Sequence, residues 1–429
     1  MLPSSKTFTK KTLLVLSFAI LFCGLSFYLA QPAYAQESIS DDASAAYLVQ
    51  FQPNVSAAER AAWLASQNLE LVSWLPQINV AEVRGRVGNS AELFTADAGP
   101  VTYIEADASV SGELVVSDPA YNNPDQGYAQ RKLGLAAAWD VTEGTADVVI
   151  AILDTGINPA HPELAGRLVA GYDFVNNDAD PMDDFGHGTH VAGIVAAELN
   201  GASIVGVCPK CKLMPVKVLN EKNGGKWSYV VQGILYAVDN GARVINLSLG
   251  AGVSSATLES AIKYAQDHNV VVVAAAGNGG SETVFYPAAL PYVIAVGATD
   301  RNDVRWSLSN YGDFVDVVAP GVNIYSAYHD LGNTTGYAYM TGTSMATPFV
   351  SGLAGLVLSR KPELTGAEVA EMITGHVVDL GATGKDKEYG HGRIDVYATM
   401  VAANDGVEPR SPGGGAVAQL FMPMVQAAN

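Results

Sequence analysis

The stretch AILDTGI, residues 151–157, is the most informative about the fold. In it, the apolar run ADVVIAIL (146–153) is followed directly by an acidic residue, Asp154. Three further runs are nearly continuous in apolar residues: GARVINLSL (241–249), NVVVVAAA (269–276) and PYVIAVGA (291–298). Runs of this kind are typical of parallel strands that are covered on both faces. We therefore expect Asp154 at the carboxyl end of a buried parallel strand.

Segments with helical patterns alternate with these strands. They are GTHVAGIVAAEL (188–199), SYVVQGILYAVDN (228–240), SSATLESAIKYAQDH (254–268) and SMATPFVSGLAGLVLSRK (344–361). The alternation predicts an α/β fold in which a doubly wound, mostly parallel sheet is flanked by helices. Ligand sites in such sheets lie beside the carboxyl ends of the strands, where Asp154 is expected.

The three residue types needed to activate a serine occur at strand ends or helix starts. They are Asp154, His187 in DFGHGTHVAGI (184–194) and Ser344 in TGTSMATP (341–348). A serine hydroxyl is a weak nucleophile at neutral pH, so it needs a histidine to accept its proton. The histidine in turn needs a carboxylate to fix its tautomer. The order aspartate, histidine, serine is one of three that unrelated folds use.

Other residues compete for these roles on composition alone. His190 follows three residues after the first histidine, although HGTH lacks the glutamate and the i, i+4 spacing of a zinc-binding HExxH helix. Asp173, Asp183 and Asp184 are alternatives for the carboxylate. Only Asp154 ends a buried apolar strand, where a carboxylate needs a partner. A serine at a helix start is, by itself, more often an ordinary helix cap.

Together with VVVAAAGN (271–278), these motifs resemble those of the subtilisin family of serine proteases, within which the chain is similar to thermitase-like secreted members. The resemblance runs from about residue 118 to about residue 399. It implies a serine endopeptidase that hydrolyses peptide bonds through an acyl-enzyme. Two other functions remain open on this scaffold, namely a non-catalytic peptide-binding protein and a ligase or cyclase in which an amine outcompetes water.

The resemblance also implies a role for each site residue. Ser344 is the nucleophile, His187 the general base and Asp154 the group that orients the imidazole. His190 is left with a structural role. Asn278 donates its side-chain amide to the oxyanion, together with the backbone N–H of Ser344. The alternative for Asn278 is an ordinary turn asparagine before glycine.

The substrate is expected to bind as an extended strand through backbone hydrogen bonds. By resemblance, the residues that pair with the extended substrate are Ser248, Leu249, Gly250, Gly224 and Gly225. The residues that line the specificity pocket are Ala275, Ala276 and Gly277. These small residues imply a roomy apolar pocket. A broad preference follows for apolar or aromatic side chains at P1, the substrate residue before the scissile bond. The alternative for the three pocket residues is strand core.

The first 35 residues have the features of a signal peptide. Three lysines precede an apolar run at residues 13–29, and Ala33-Tyr34-Ala35 supplies small residues for a signal peptidase. An uncleaved membrane anchor is the alternative. We therefore expect a secreted, extracellular protein with no membrane attachment after the signal (1–35) is removed.

Three segments follow the signal peptide. Residues 36–113 have strand signals and an amphipathic helix that Ser56 can cap, which predicts a small α+β domain. Their position resembles that of the family's inhibitory propeptide, and the resemblance implies a self-processed precursor. Residues 114–402 are the expected catalytic domain. Residues 403–429 comprise a Pro/Gly-rich linker and a short tail.

The chain of 429 residues carries a formal net charge of −19. Nucleic-acid binding needs a basic face, so this charge argues against a nucleic-acid partner. The expected partners are polypeptide substrates and the chain's own propeptide, acting as an intramolecular inhibitor. The expected enzyme is a monomer.

Calcium is the expected cofactor, in one or two structural sites. The first set of ligands resembles the family's tight calcium site: the side chains of Asp118, Glu163 and Asn200, with the carbonyl oxygens of Glu198, Ala202 and Ile204. Glu163 stands where the family usually has an aspartate. The second set, in YDFVNNDADP (172–181), comprises Asp173, Asn176, Asp178 and Asp180, which are spaced like hard-oxygen ligands. A solvated acidic loop is the alternative for this second set.

Cys208 and Cys211 in VCPKCK (207–212) are the thiols that remain after signal removal. Such a pair can form a local disulfide, half of a metal site or a redox centre. No second CxxC occurs in the sequence to complete a four-sulfur site, and an exported protein meets an oxidising environment. A disulfide is therefore the favoured interpretation.

Overall fold

The computed structural model describes residues 45–85, 99–106, 116–330 and 333–405. The chain divides into two compact units between Ala108 and Ser109, close to the boundary expected after residue 113. The signal peptide expected at 1–35 and most of the linker and tail expected at 403–429 lie outside the described residues. Within the described ranges, no helix is long and apolar enough to cross a membrane.

The first unit combines an antiparallel sheet with a helix in its described part. Its elements are β1 (Ala45–Phe51), α1 (Ala57–Ser66), β2 (Leu69–Leu75), β3 (Val80–Gly85) and β4 (Val101–Ala106). The strands pair antiparallel in the order β2-β3-β1-β4. Ser56 caps α1 as expected, because its side chain accepts a hydrogen bond from Glu59 N while the Glu59 carboxylate accepts one from Ser56 N.

The second unit alternates strands and helices. Its described helices are α2 (Pro119–Asn122), α3 (Tyr128–Lys132), α4 (Leu135–Trp139), α5 (His187–Ala196), α6 (Trp227–Asp239), α7 (Ala256–Asp267), α8 (Thr343–Arg360), α9 (Gly366–Gly375) and α10 (Val396–Ala403). Its described strands are β5 (Val149–Asp154), β6 (Tyr172–Asp173), β7 (Lys212–Lys217), β8 (Val244–Leu247), β9 (Val271–Ala275), β10 (Val293–Thr299), β11 (Val317–Pro320), β12 (Ile324–Asp330), β13 (Asn333–Met340), β14 (Val377–Val378) and β15 (Arg393–Ile394).

One large sheet organises this unit. Among the described residues, nine strands join it in the order β14-β15-β11-β10-β9-β8-β5-β7-β6. All neighbouring strands pair in parallel except β14 and β15, which are antiparallel. Strands β12 and β13 form a separate antiparallel hairpin.

The central strands contribute side chains to two cores, one on each face of the sheet. In β5, Ile150 and Ile152 belong to one core, which also contains residues of α5 and α8. Ala151 and Leu153 belong to the other core, with residues of α6 and α7. Because successive residues of a strand point to opposite faces, both faces of β5 are covered. The predicted doubly wound, mostly parallel sheet flanked by helices is therefore confirmed.

Helix α8 is buried around nearly its whole circumference. Most of its side chains from Thr343 to Leu358 are inaccessible to solvent. A helix that is apolar on all sides belongs inside a protein. This burial fixes the position of Ser344, which is the second residue of the helix.

The winding of the sheet reverses at β5. After β5 the chain forms β6 and β7 on one side of it and then crosses to β8 on the other side. In open α/β sheets, the crevice at such a reversal, outside the carboxyl ends of the strands, is the usual ligand site. Asp154 ends β5, and the residues that follow β7 and β8 lie at the same edge of the sheet.

Strand β7 was not predicted from the sequence. Its sequence, KLMPVK, begins and ends with lysine and contains Pro215, which argues against a central strand. The structure accommodates the proline because β6, the neighbour on the far side, is short and pairs only with Val216 and Lys217. The pairing of β7 with β5 places Lys217 beside Asp154.

Candidate active site

Asp154 and His187 form a buried pair at the carboxyl end of β5. The distance from His187 Nδ1 to Asp154 Oδ1 is 2.7 Å, and the aspartate is fully buried. The same oxygen accepts a hydrogen bond from Thr155 N at 2.7 Å. His187 begins α5, after Gly186, whose φ of 104° lies in the left-handed region that favours glycine. A strand end and a helix start thus bring the two side chains together.

Opposed effects act on the pKa of His187. Burial lowers it, because a charged imidazolium is poorly solvated inside the protein. The charge and hydrogen bond of Asp154 raise it, and the charge of Asp183 raises it further. The net result is a pKa above the ordinary value for histidine. The protonated imidazole is thus stabilised by two carboxylates.

Ser344 lines the same cavity as His187. Its Oγ donates a hydrogen bond to Ser248 O at 3.1 Å, and no hydrogen bond among the described residues joins it to the imidazole. A rotation about the serine Cα–Cβ bond changes the direction of this hydroxyl. Hydrogen bonds between a nucleophile and its base are often loose before the substrate binds. The structure therefore places the hydroxyl and the imidazole in one cavity without a bond between them.

Asn278 is anchored to the start of α8. Its Oδ1 accepts hydrogen bonds from Thr343 N at 2.9 Å and from Thr343 Oγ1 at 2.8 Å. In the part of the chain that the structure describes, the hydrogen bonds of the Asn278 side chain all go to Oδ1 and none to Nδ2. The first N–H groups of a helix lack intrahelical partners, and Ser344 N is one of them. Asn278 Nδ2 and Ser344 N are therefore two candidate donors for an anion at this helix start.

A cavity of about 520 Å³ contains these groups. Most of the expected substrate-binding residues line it together with His187, Asn278 and Ser344: they are Gly224, Gly225, Ser248, Leu249, Gly250, Ala275 and Gly277. The segments that follow β7, β8 and β9 supply most of them. The cavity thus lies at the sheet edge that the fold predicts for a ligand.

Ala276 corrects one expectation. It does not line the cavity but is fully buried in a separate apolar cluster with Val315 and Val318. Successive residues of an extended chain point to opposite sides. Ala275 and Gly277 therefore face the cavity, while Ala276 between them belongs to the core.

Phe285 lines the cavity, although no sequence pattern identified it. A Cβ added to Gly250 would lie 2.5 Å from Phe285 Cε1, and a Cβ added to Gly277 would lie 2.9 Å from Phe285 Cγ. The ring is therefore in close contact with both glycines and limits the space beside them. Leu219 and Trp227 add further apolar surface.

His190, the alternative base, has different partners. Its Nε2 lies 3.1 Å from both Ile324 O and Ala338 O. Burial lowers the pKa of His190 to about 3. A neutral imidazole that donates to the β12–β13 hairpin fits a structural role. The other aspartates considered make no hydrogen bond to the His187 ring among the described residues: they are Asp173, Asp183 and Asp184.

The first expected calcium set surrounds two buried carboxylates. Asp118 and Glu163 are fully buried, and burial raises the pKa of each. Asp118 Oδ2 and Glu163 Oε2 have no hydrogen-bond partner among the described residues. Gly201 N donates to Asp118 Oδ1 and Ile204 N donates to Glu163 Oε1, each at 3.2 Å. Two neighbouring buried carboxylates with unpartnered oxygens fit a divalent cation.

The remaining members of this set lie in the same loop. Asn200 Oδ1 accepts a hydrogen bond from Ala202 N at 2.8 Å, and Glu198 N donates to Glu163 O at 3.1 Å. Tyr337 Oη donates to Glu163 Oε1 at 2.6 Å. This bond anchors the glutamate side chain, which is longer than the aspartate usual at this position in the family. No group of three or more His, Cys, Asp or Glu side chains suited to a metal occurs in the described ranges. A cation here would depend on two carboxylates plus amide and carbonyl oxygens.

The second expected calcium set is satisfied by its own loop. Asp173 Oδ1 accepts hydrogen bonds from Val175 N at 2.7 Å and Asn176 N at 2.9 Å, and its Oδ2 accepts one from Asn176 Nδ2 at 2.9 Å. Asp178 Oδ1 accepts one from Asp180 N at 2.9 Å, and both residues are exposed. These bonds hold the turn without a cation, which favours the solvated-loop alternative.

Cys208 and Cys211 are both fully buried, and the structure joins them in a disulfide with a Cα–Cα distance of 5.4 Å. Two glycines make room for the sulfurs. A Cβ added to Gly144 would clash with Cys208 Sγ, and one added to Gly355 would lie 3.1 Å from Cys211 Sγ. The pair therefore packs tightly against α8.

An α/β sheet with a buried aspartate–histidine pair and a helix-start serine in one cavity defines a class of proteins, the hydrolases that use an activated serine. The subtilase family model (Peptidase_S8) matches residues 145–392. The chain is 42% identical over 353 residues to the thermophilic serine proteinase of Bacillus sp. (strain AK1), covering 82% of this chain and 86% of that protein. It is 43% identical over 285 residues to thermitase of Thermoactinomyces vulgaris, covering 66% and 98%.

The chain therefore belongs to the subtilase family, and it is a subtilisin-like serine endopeptidase. The resemblance to thermitase-like members is confirmed. The solved structure of a protease from Pseudoalteromonas arctica PAMC 21717 is similar to this fold. Its TM-score is 0.62 at 34% identity, covering 67% of this chain and 99% of that one.

Proposed function

We propose that Ser344, His187 and Asp154 carry out peptide-bond hydrolysis through an acyl-enzyme. The observation that carries the proposal is the 2.7 Å bond from His187 to Asp154 in the cavity that Ser344 lines. The Ser344 hydroxyl turns from Ser248 O toward His187, which accepts its proton as Oγ attacks the substrate carbonyl. His187 then donates that proton to the leaving amine, and water releases the acyl group by the same route in reverse.

The Asp154 carboxylate and the hydrogen-bond donors at the start of α8 stabilise the charges that form during the reaction. The Asp154 carboxylate holds the His187 Nδ1 proton and stabilises the imidazolium. Asn278 Nδ2 and Ser344 N donate hydrogen bonds to the tetrahedral oxyanion. Because Thr343 anchors the other end of the Asn278 amide, its Nδ2 is held ready before the substrate arrives.

The substrate is an extended polypeptide whose backbone pairs with the segments 224–225 and 248–250. The P1 side chain enters the apolar part of the cavity beside Ala275 and Gly277. Among the described residues, no carboxylate lines the cavity, and its one lysine, Lys226, directly follows Gly225 in the segment proposed to pair with the substrate backbone. We therefore propose a broad preference for apolar or aromatic P1 residues.

The enzyme is made as a secreted precursor. The signal-peptide features of residues 1–35 support export, and the compact α+β unit that precedes the protease supports a propeptide at 36–113. Self-cleavage near the boundary expected after residue 113 then releases the mature enzyme, and the detached propeptide acts as its inhibitor. The mature enzyme acts as an extracellular monomer.

Calcium and a disulfide stabilise the mature enzyme. One structural calcium bound by Asp118, Glu163 and the 198–204 loop would neutralise the two buried carboxylates. The Cys208–Cys211 bridge would persist in an oxidising environment. Intact-mass measurement without reductant tests the bridge, and two free thiols would contradict it.

Labelling with a serine-directed fluorophosphonate tests the reaction. We expect label on Ser344 and cleavage of casein by the same preparation, with both lost in Ser344→Ala. Ser260→Ala is the matched control, because Ser260 lies on the exposed face of α7 and its hydroxyl donates to Ala256 O. Peptide binding without labelling would instead indicate a non-catalytic peptide-binding protein.

A further inference from the structure

Asp183, which the proposed reaction does not use, is a fully buried carboxylate surrounded by donors. Its Oδ1 accepts hydrogen bonds from Thr155 Oγ1 at 2.8 Å, Gly186 N at 2.8 Å and Phe185 N at 3.0 Å. Its Oδ2 accepts from Thr189 Oγ1 at 2.6 Å and Thr189 N at 2.9 Å. This set uses the full accepting capacity of a carboxylate. Asp183 makes no ion pair with a Lys or Arg among the described residues.

The donors to Asp183 lie on both sides of His187 in the chain. Gly186 immediately precedes the histidine, and Thr189 follows it by two residues. One side chain therefore holds the turn that enters α5 and the first turn of the helix together. The orientation of the His187 backbone depends on this connection.

Thr155 links Asp183 to the other half of the pair. Its Oγ1 donates to Asp183 and accepts from Gly188 N at 2.9 Å, while its backbone N donates to Asp154 Oδ1. Its carbonyl oxygen accepts from Lys217 Nζ at 2.7 Å. Asp154 and the turn that carries the histidine are thus tied through one threonine.

We infer that Asp183 is a positioning residue of this protease, which holds the His187 imidazole against Asp154 and supplies a second negative charge near the imidazolium. The inference rests on the proposed role of His187 as the base. Asp183 itself touches neither the substrate cavity nor the imidazole. Asp183 acts on His187 through the backbone of the turn that precedes α5 and through the electrostatic field of its carboxylate.

The charged groups near His187 agree with this role. Asp154 faces it from β5, Asp183 from the turn before α5, and His190 follows on α5 but is neutral at ordinary pH. Lys217 from β7 bonds to Asp184, Thr155 O and Leu219 O, so its charge is matched by its own acceptors. Burial lowers the pKa of His187, the charge and hydrogen bond of Asp154 raise it, and the charge of Asp183 raises it by a smaller amount.

Asp183→Asn tests the inference, because it keeps the size of the side chain and removes its charge. We expect kcat to fall by about tenfold to a hundredfold while KM stays within about twofold, since positioning acts on the transition state. We also expect the acidic limb of the kcat/KM profile to move to lower pH. Thermal unfolding checks that the variant is folded, because fluorophosphonate labelling itself depends on the activation of Ser344.

Two further variants distinguish the effect of the Asp183 charge from the effect of the hydrogen bonds that position His187. Thr155→Val removes the hydroxyl link and keeps the Asp183 charge, so kcat should fall while the acidic limb stays in place. It also provides the test if Asp183→Asn does not fold. Asp239→Asn is the control for a change in net charge, because Asp239 lies at the exposed end of α6 and bonds to Tyr264 Oη.

The outcomes distinguish this inference from the proposed function. A wild-type enzyme that fluorophosphonate does not label would contradict the proposed function. Labelled wild type together with a folded Asp183→Asn of unchanged kcat would overturn only the positioning role. A loss of activity in Asp183→Asn without any movement of the acidic limb would also overturn it, because a purely structural residue would behave that way.

Discussion

The charge environment of one residue, His187, determines how the site responds to pH. In the proposed mechanism the imidazole must be neutral to accept the serine proton. Burial lowers its pKa, whereas Asp154 and, to a smaller extent, Asp183 raise it above the ordinary value. The same shift has a consequence for stability. Its contribution is fully present below the unfolded-state value of about 6.5 and is lost as the pH rises through the higher folded-state value.

The first prediction concerns this pH dependence. The acidic limb of kcat/KM should have its midpoint above about 6.5, the ordinary value for histidine. Asp154→Asn should lower kcat by about 10⁴-fold, because the imidazole loses the partner that fixes its tautomer. Initial rates on a chromogenic peptide across a pH series measure both. A midpoint below the ordinary value would contradict the charge argument.

A second prediction concerns Asn278. Asn278→Ala removes the free Nδ2 donor and should lower kcat by about a hundredfold, or about 3 kcal/mol, with little change in KM. Asn240→Ala serves as the control, because its Nδ2 bonds to Tyr236 O at the end of α6. Equal rates for Asn278→Ala and the wild type would exclude Asn278 from oxyanion stabilisation.

A third prediction concerns Phe285, whose ring contacts Gly250 and Gly277. Phe285→Gly should enlarge the cavity and raise kcat/KM for a tyrosine or phenylalanine P1 residue relative to alanine by about tenfold, the lower end of the effect of one methylene in a hydrophobic pocket. Val284→Gly is the matched control, because Val284 is an exposed neighbour that does not line the cavity. An unchanged ratio in an active Phe285→Gly enzyme would place the ring outside the P1 pocket.

At the scale of secondary-structure elements, the loop that follows α5 is the place where a bound cation would affect the stability of the folded protein. Asp118 at the start of α2 and Glu163 before β6 both face this loop, and their carboxylates are buried without a full set of partners among the described residues. Because burial raises the pKa of each, stability without a cation falls as the pH rises from the ordinary value through the raised one. A bound calcium ion would reverse this trend, since it requires the ionised carboxylates.

The fourth prediction follows from that loop. Removing calcium with a chelator should lower the unfolding temperature, and calcium at about 100 times its Kd should restore about 2.7 kcal/mol. The effect should grow with pH and vanish in Asp118→Asn. Asp178→Asn, in the loop that satisfies its own hydrogen bonds, should keep the full calcium response. Thermal unfolding with and without chelator measures both, and a response in Asp118→Asn equal to wild type would rule out this site.

The molecule as a whole consists of two units with different designs. The first is a small antiparallel sheet with a capped helix, and the second is a large, mostly parallel sheet with non-local pairing between distant strands. Sheets with many long-range contacts fold slowly, because loop closure precedes the contacts that stabilise it. A separate N-terminal unit that assists folding and is then removed would suit this architecture.

The fifth prediction concerns maturation. If the protease cleaves its own precursor, Ser344→Ala should accumulate at precursor length with the 36–113 segment attached. The surface control Ser260→Ala should mature normally. N-terminal sequencing and gel mobility of the secreted products measure the outcome. Normal processing of Ser344→Ala would show that another protease performs the cleavage.

The fold class, the family and the candidate catalytic residues could all be inferred from the amino-acid sequence. Continuous apolar runs reveal parallel strands, because covered faces exclude polar residues, and the catalytic motifs are local in the chain. The sequence also led to Ser56 as a cap, since capping involves residues only three apart. Strand β7 was missed because its lysines and proline conceal a central strand.

Only the tertiary structure shows which residues of the different loops contact one another. Packing directs Ala276 into the core, brings Phe285 against the cavity glycines and turns the Ser344 hydroxyl toward Ser248 O. It also surrounds Asp183 with donors from both sides of His187. These contacts join segments that are distant in sequence or follow no periodic pattern, so their positions depend on how the sheet and α8 pack.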